Sequence, residues 1–195
     1  FRTMSLPVPP SRTLHLPDAA ATEALGAAIA PCLAGGMVVA LHGDLGSGKT
    51  TLVRGVLRAR GWNGSVKSPT YTLVEHYAFS SLYFYHFDFY RFADPTEWET
   101  AGLAECFRGD SVCLVEWPER VAGFLPPADL DVVLTHTSTA DGSRDVNIPV
   151  PLAQAVASLL PNGLAIDRGG MIWFASEAPA RRSVAFTRRR PPSPA

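Results

Sequence analysis

Lysine is almost absent from this sequence of 195 residues, because Lys49 and Lys67 are its only lysines and arginine supplies the other basic side chains. The formal net charge is −1. A protein that binds nucleic acid mainly through its own surface is more often clearly basic, so the overall charge gives no support to that class of function.

Cysteine is also scarce. Cys32, Cys106 and Cys113 are odd in number and lack the Cys-x-x-Cys spacing, which argues against a disulfide framework and a structural zinc site. We therefore expect a reducing, cytoplasmic environment. The five histidines have no ligand spacing and none is placed as the partner of a nucleophile, so covalent catalysis has no support either.

The sequence has no convincing membrane span. The stretch from Ala24 to Leu41 carries no charge, but Pro31 and the pair Gly35-Gly36 interrupt it. A span needs about 20 continuous apolar residues. An alanine-rich helix, a turn and a buried strand explain this stretch better, and we expect no membrane association.

A phosphate-binding loop is the strongest positive signal. Residues 43–50 read Gly-Asp-Leu-Gly-Ser-Gly-Lys-Thr, directly after the apolar run 37–41, and a helix-like pattern with arginines on one face follows. This is the G-x-x-x-x-G-K-[ST] pattern between a strand and a helix. The glycines let backbone N–H groups point at phosphate oxygens, Lys49 reaches the β- and γ-phosphates, and Thr50 offers a hydroxyl to Mg²⁺.

Two carboxylates are candidates for the rest of the site. Glu116 ends the apolar run 111–115, which is the position of a carboxylate that holds Mg²⁺ directly or through water. A surface glutamate at a strand end is the alternative. Asp88 lies in an aromatic strand, where an unpaired charge would be costly. It therefore either binds metal, orients the attacking water, or pairs with Arg91 at the surface.

A Ser-Pro-Thr segment at residues 68–70 lies between the loop helix and the next strand. Nucleotide switches commonly sense the γ-phosphate through a hydroxyl at this place, although a plain Ser-Pro turn would have the same sequence. Trp117 either stacks on a base or a partner, or packs in the core. The Asn-Lys-x-Asp motif that reads guanine does not occur, which weakly favours ATP over GTP.

The pattern of the chain predicts one α/β domain at residues 13–160. We expect a flexible, proline-rich lead-in at 1–12 and a disordered, basic tail at 161–195. Asp18 is predicted to cap a first helix that runs to about residue 33, and Asp94, Pro95 and Glu97 to begin a later one. The predicted strands cover residues 13–16, 37–41, 71–77, 82–90, 111–115, 129–137 and 144–150, with antiparallel hairpins from the third and fourth strands and from the last two.

Five motifs in fixed order make the sequence resemble the TsaE (YjeE) family over about residues 14–150. They are the phosphate loop, the segment 67–75, the run His86-Phe87-Asp88-Phe89-Tyr90-Arg91, the pair Asp94-Pro95, and the run 114–118. The resemblance implies a P-loop NTPase-like three-layer α/β fold with a mixed central sheet that includes the hairpins. It also implies an ATPase of tRNA threonylcarbamoyladenosine synthesis, which works with a TsaD–TsaB pair and reaches tRNA through that complex.

The same resemblance assigns roles to residues. Lys49, Asp88 and Glu116 would serve catalysis, and Thr50 and Glu116 would hold Mg²⁺. The implied ATP/ADP contacts are Thr22, Asp44, Leu45, Gly46, Ser47, Gly48, Lys49, Thr50, Thr51, Ser68, Thr70, Trp117 and Arg144, with Thr22 and Arg144 the looser matches.

Two other functions fit the same loop. A small-molecule kinase would use this loop to transfer a phosphoryl group to a substrate hydroxyl. Such an enzyme would need a basic lid, whereas the arginines of this sequence are scattered. A nucleotide-gated adaptor would bind a partner or tRNA and release it without needing its own turnover.

Overall fold

A mixed sheet of nine strands forms the centre of the protein in the computed structural model, which describes residues 11–94, 96–137, 142–149, 153, 164–166 and 172–174. The sheet order is β3-β4-β5-β2-β6-β7-β1-β9-β8. The strands are β1 Ser11–Leu16, β2 Val38–His42, β3 Val74–Ala78, β4 Tyr83–Asp88, β5 Ser111–Glu116, β6 Leu130–His136, β7 Arg144–Pro149, β8 Leu164–Ile166 and β9 Ile172–Phe174, and the helices are α1 Ala19–Ile29, α2 Lys49–Ala59 and α3 Thr96–Thr100.

The four adjacent strands β4, β5, β2 and β6 are parallel to one another. The outer pairs β3–β4, β6–β7 and β1–β7 are antiparallel, which confirms the predicted mixed sheet and both predicted hairpins. Parallel strands end at the same edge of a sheet, so the residues that follow β2, β4 and β5 meet there.

Helices α1 and α2 cover one face of the sheet and a second layer covers the other. The buried side chains divide accordingly into two clusters, because neighbouring residues of a strand point to opposite faces. In β4, Phe84 belongs to the cluster under α1 and α2, whereas Phe87 belongs to the other cluster. That second cluster is rich in aromatic rings, which include Phe89, Phe92 and Trp98. The predicted three-layer arrangement is confirmed.

The first helix begins and ends at sequence signals. The Asp18 carboxylate accepts a hydrogen bond of 2.7 Å from the backbone N–H of Ala21, as the predicted cap requires. The helix ends at Ile29, earlier than the predicted residue 33, because Pro31 cannot continue the α-helical hydrogen bonding and a 3₁₀ turn at Ala30–Cys32 follows. The uncharged stretch 24–41 thus divides between α1, this turn and β2. Among the described residues, no helix is long and apolar enough to cross a membrane.

The prediction of a disordered tail at 161–195 stays a prediction for most of that stretch, which lies outside the described residues together with nearly all of the lead-in. Two short segments of it are described, and they are the strands β8 and β9. Strand β9 pairs parallel with β1, and β8 pairs antiparallel with β9.

A close contact between glycines joins α1 to α2. A Cβ atom on Gly55 would collide with the carbonyl oxygen of Glu23, and one on Gly26 would collide with the carbonyl oxygen of Leu52. Because the obstacles are backbone atoms, they move only if the helices separate. The Glu23 carboxylate also pairs with Arg54 and Arg58 of α2, and such partly exposed pairs add little stability.

We expect Gly55→Ala to lower the free energy of unfolding by about 1–3 kcal/mol, since the added methyl group must push α1 away from α2. Chemical denaturation measures the effect. The matched control is Gly109→Ala, where the added Cβ has open space among the described residues, and its effect should stay within about 0.5 kcal/mol. Equal stability of the two variants would show that the helix contact tolerates a methyl group.

Candidate functional site

The phosphate loop joins the end of β2 to the start of α2, as the sequence predicts. Gly46 and Gly48 have φ angles of 78° and 104°, which L-residues with side chains rarely adopt. Gly43, with φ of 133°, packs so closely that a Cβ there would collide with the carbonyl oxygen of Leu134 in β6 and lie 2.8 Å from Ser47 Oγ. The loop is therefore packed against β6 on one side, and its other end leads into α2.

The Lys49 ammonium folds back onto this loop. It donates hydrogen bonds to the carbonyl oxygens of Gly43 (2.6 Å) and Asp44 (2.9 Å). Its Nζ also lies 4.2 Å from the centroid of the Trp117 ring, within the range of a cation–π contact. Burial lowers the pKa of Lys49 from its usual value, while the nearby carboxylates, first among them Glu116 and then Asp88, act in the opposite direction.

Glu116 and Thr50 lie in contact. The Thr50 hydroxyl donates to Glu116 Oε1 over 2.7 Å, and the Glu116 side chain is almost completely buried. This excludes the alternative of a surface glutamate. A second donor reaches the same oxygen, because His86 Nε2 lies 2.8 Å from Glu116 Oε1.

Asp88 accepts three hydrogen bonds. Ser68 Oγ and Thr70 Oγ1 both donate to its Oδ2, the latter over 2.8 Å, and the backbone N–H of Tyr90 donates to its Oδ1 over 2.9 Å. Asp88 is 3% exposed, so the alternative of a surface pair with Arg91 is wrong. The Arg91 guanidinium instead lies over the ring of Tyr71.

Trp117 directly follows Glu116 and has a left-handed backbone, with φ of 58° and ψ of 48°. A residue with a large side chain rarely adopts this conformation, and such residues cluster at functional sites. The turn places the indole beside Lys49 and 5.1 Å from the Tyr90 ring centroid. Trp117 is partly buried and packs against the aromatic cluster, so it has both a core contact and a contact in the candidate site.

The two looser sequence matches also meet at the loop. Arg144 Nη1 donates to Thr22 Oγ1 over 3.2 Å, which joins β7 to α1. A Cβ on Gly48 would lie 3.0 Å from the same guanidinium nitrogen. Arg144 therefore flanks the phosphate loop on the side of α1, while Lys49, Trp117 and the carboxylates lie on the side of β4 and β5.

The remaining predicted contacts belong to the loop and the first turn of α2. Asp44, Leu45 and Gly46 are exposed at the tip of the loop, and His136 Nε2 lies 3.3 Å from the Leu45 carbonyl oxygen. Thr51 lies in the first turn of α2 and is half-buried. The structure thus places all of the predicted site residues on this loop or around it.

The donor set fits a magnesium-bound nucleotide. Ser47 Oγ and Arg144 Nε are buried, and neither has a hydrogen-bond partner among the described residues. Buried polar groups normally have partners, so two orphaned groups beside the loop are suited to an anionic ligand. Mg²⁺ prefers oxygen ligands, and the hydroxyl of Thr50 and the carboxylate of Glu116 supply them at a helix N-terminus.

Sequence reasoning missed His86 as a site residue. The spacing of the histidines along the chain does not indicate a metal site. The informative pattern is instead the alternation of side chains along β4. His86 and Asp88 stand two residues apart in a strand, so they share a face, and that face holds the candidate carboxylates.

His42 ends β2 immediately before the phosphate loop and pairs with two carboxylates. Its Nε2 lies 2.9 Å from Asp131 Oδ1 and its Nδ1 lies 3.7 Å from Glu119 Oε2. The hydrogen bond that His42 donates to Asp131 is the main cause that raises the pKa of His42 above its ordinary value of 6.5, and burial opposes it.

Because the folded pKa of His42 is raised, its contribution to stability is fully present below the unfolded pKa and is lost as pH rises through the folded pKa. We expect His42→Gln to lower the free energy of unfolding more at about pH 6 than at about pH 9, by about 0.5 kcal/mol or less for this partly exposed pair. Denaturation at both pH values measures this. In an Asp131→Asn background the difference should shrink; a difference that persists there would show that Asp131 is not its cause.

Comparison with known proteins gives consistent matches. The family model described as threonylcarbamoyl adenosine biosynthesis protein TsaE matches residues 16–146. The tRNA threonylcarbamoyladenosine biosynthesis protein TsaE of Haemophilus influenzae is 49% identical over 112 residues, which are 57% of this chain and 69% of that protein. The protein of the same name from Bacillus subtilis is 38% identical over 135 residues, 69% of this chain and 81% of its own length.

Among solved structures, the crystal structure of Bacillus subtilis YdiB is similar, with a TM-score of 0.63 and 25% sequence identity over 78% of this chain and 98% of that one. The residues that the family model matches begin at the end of β1 and reach into β7, so they include the phosphate loop, both carboxylates and Arg144. The chain belongs to the TsaE family, which takes part in tRNA threonylcarbamoyladenosine biosynthesis.

Proposed function

We propose that this protein binds ATP with Mg²⁺, hydrolyses it slowly, and thereby activates or resets a TsaD–TsaB partner complex that modifies tRNA. The observation that carries the proposal is the cluster at the carboxyl ends of β2, β4 and β5. There the Lys49 ammonium, the Thr50 hydroxyl and the carboxylates of Glu116 and Asp88 surround the mouth of the phosphate loop. Contact with tRNA would be indirect, through the complex.

The loop residues would bind the triphosphate. The ammonium of Lys49 exchanges the carbonyl oxygens of Gly43 and Asp44 for β- and γ-phosphate oxygens, and the backbone N–H groups of the loop point at the same anion. The Ser47 hydroxyl, which is buried and without a partner among the described residues, gains an acceptor. Arg144 and Thr22 would contact the nucleotide on the side of α1.

Thr50 and Glu116 would hold Mg²⁺. Held there, the ion would supply positive charge that offsets part of the phosphate charge. Thr50 and Glu116 already lie within hydrogen-bond distance of each other, so both ligands face one position. Trp117, whose ring lies 4.2 Å from Lys49 Nζ, would support the nucleotide site beside that lysine.

Asp88 would orient the attacking water. The water oxygen forms a bond to the γ-phosphorus, and the bond from that phosphorus to the bridging oxygen of ADP breaks, which gives ADP and inorganic phosphate. The proton of the water passes to solvent or to phosphate. Ser68 and Thr70 donate to Asp88, so a ligand that draws either hydroxyl toward the γ-phosphate also frees a carboxylate lone pair for this water.

The first experiment measures ATP hydrolysis by the purified protein, alone and with added TsaD–TsaB. We expect weak turnover alone and strong stimulation by the pair. Lys49→Ala should lower stimulated turnover by about 100-fold or more, because a preorganised cation at the developing charge is lost. The matched control Arg58→Ala removes an exposed cation from the other end of α2 and should leave turnover unchanged.

Two results would contradict the proposal. Absence of stimulation, with turnover only when a small-molecule hydroxyl acceptor is supplied, would establish a kinase. A Lys49→Ala protein that folds and turns over as fast as the wild type would exclude the phosphate loop as the site.

A second experiment asks whether hydrolysis is required. We expect Asp88→Asn to bind ATP within a few-fold of the wild type and to lose about 100-fold in hydrolysis, since the amide oxygen lacks the negative charge with which the carboxylate orients the water. Activation of TsaD–TsaB should be lost with it. Asp110→Asn, at an exposed surface carboxylate, is the control. Full activation by a variant that binds but does not hydrolyse would instead support the nucleotide-gated adaptor.

A further inference from the structure

His86 is a completely buried histidine to which the proposed reaction assigns no role. It lies in β4 with 0% exposure and directs Nε2 at Glu116 Oε1 over 2.8 Å. The register places His86 opposite Leu114 and Asp88 opposite Glu116. His86 therefore reaches diagonally across to the neighbouring strand, to the carboxylate that also contacts Thr50.

The contacts of the imidazole define its proton arrangement. Nδ1 is buried and has no hydrogen-bond partner among the described residues. An N–H group in that position would lose its hydrogen bonds to water without replacement, which is costly. The glutamate oxygen at the other nitrogen needs a donor. The ring therefore fits best with its proton on Nε2, donated to Glu116, and a bare lone pair on Nδ1.

We propose that His86 is a positioning residue that holds the Glu116 carboxylate toward Thr50, so that the two oxygen ligands of Mg²⁺ are aligned before the ion arrives. The inference rests on the proposed nucleotide site and deepens it. His86 itself touches neither nucleotide nor metal.

The physical reason is the freedom of a glutamate side chain. Glu116 can rotate about several bonds, and to hold Mg²⁺ it would exchange the hydrogen bond from the Thr50 hydroxyl for contact with the ion. A second donor on the same oxygen keeps the carboxylate in place during that exchange. Outer partners of metal-binding carboxylates act in this way, and their loss typically weakens metal affinity about 10- to 100-fold.

The geometry also separates this role from simple core filling. Phe84 and Phe87 show that β4 accommodates aromatic rings on both faces, so an apolar side chain would satisfy the packing alone. A histidine with one nitrogen bonded and the other bare is a poor choice for that purpose, because burying a polar ring is less favourable than burying a hydrocarbon.

The test compares His86→Gln with His86→Asn. The amide nitrogen of glutamine stands as many bonds from Cβ as Nε2 of histidine, whereas that of asparagine stands where Nδ1 was. Binding of a fluorescent ADP analogue is titrated with MgCl₂. We expect His86→Gln to keep the half-maximal Mg²⁺ concentration within about threefold of the wild type, and His86→Asn and His86→Phe to raise it about tenfold or more.

The outcomes distinguish failure of the role of His86 from failure of the proposed function. Binding of the analogue without Mg²⁺ should be the same in all variants, because the positioning role concerns the metal alone. Unchanged Mg²⁺ dependence in folded His86→Asn and His86→Phe would overturn the inference and leave the proposed function intact. Wild-type protein whose nucleotide binding ignores Mg²⁺ would overturn both. His76→Phe, at an exposed histidine of β3, is the control for the substitution itself.

A second measurement needs no variant. Nitrogen NMR of the histidine rings in the wild type should show the His86 proton on Nε2, both alone and with ADP and Mg²⁺. A His86 ring whose Nε2 carries no proton cannot donate to Glu116 and would overturn the inference even if the variants failed to fold.

Discussion

The burial of one carboxylate at the end of a central strand controls the arrangement of the whole site. Glu116 is 3% exposed, and a buried charge is tolerated only when donors surround it. Those donors come from two other elements, Thr50 at the start of α2 and His86 in β4. The single oxygen Oε1 therefore ties the phosphate-loop helix to two neighbouring strands. The position of α2, and with it the position of Lys49, depends on this meeting point as well as on the glycine contact with α1.

The parallel register places two carboxylates opposite each other, and the surrounding hydrogen bonds stabilise both. Asp88 and Glu116 are directly opposite each other on adjacent strands, an arrangement in which like charges repel. Each carboxylate has its own donors: Ser68, Thr70 and the Tyr90 N–H at Asp88, and Thr50 and His86 at Glu116. Lys49 adds a positive charge that acts on both. The segment 68–70 is therefore part of the electrostatic balance of the site as well as a connection between elements.

Local signals in the sequence were enough to predict the helices and strands. They were not enough to predict contacts between residues far apart in the chain. The phosphate loop, the cap at Asp18 and the alternation of β3 and β4 are patterns over a few residues, and the structure confirms the elements that they predict. The sheet order, with β2 between β5 and β6, depends on contacts between residues far apart in the chain. For the same reason the contact of His86 with Glu116 was not predicted. Only the family resemblance indicated Arg144 and Thr22 as site residues, and their contact with each other was not predicted, since no local pattern links β7 to α1.

The charges around the loop explain why nucleotide binding and metal binding should be coupled in the proposed function. Near the mouth lie the carboxylates of Glu116 and Asp88 and the cations of Lys49 and Arg144. The carboxylates of Glu119 and Asp44 also act on Lys49, so the site has no excess of positive charge before any ligand enters. A triphosphate adds several negative charges within a few ångströms of both carboxylates, where water is largely excluded and repulsion is weakly screened. Lys49 already balances the carboxylates, so its charge is not fully available to the phosphates. In the proposed function, a divalent cation held by Glu116 and Thr50 would supply the missing positive charge at the point where carboxylate and phosphate otherwise repel, and the orientation of Glu116 would then be a condition for tight binding.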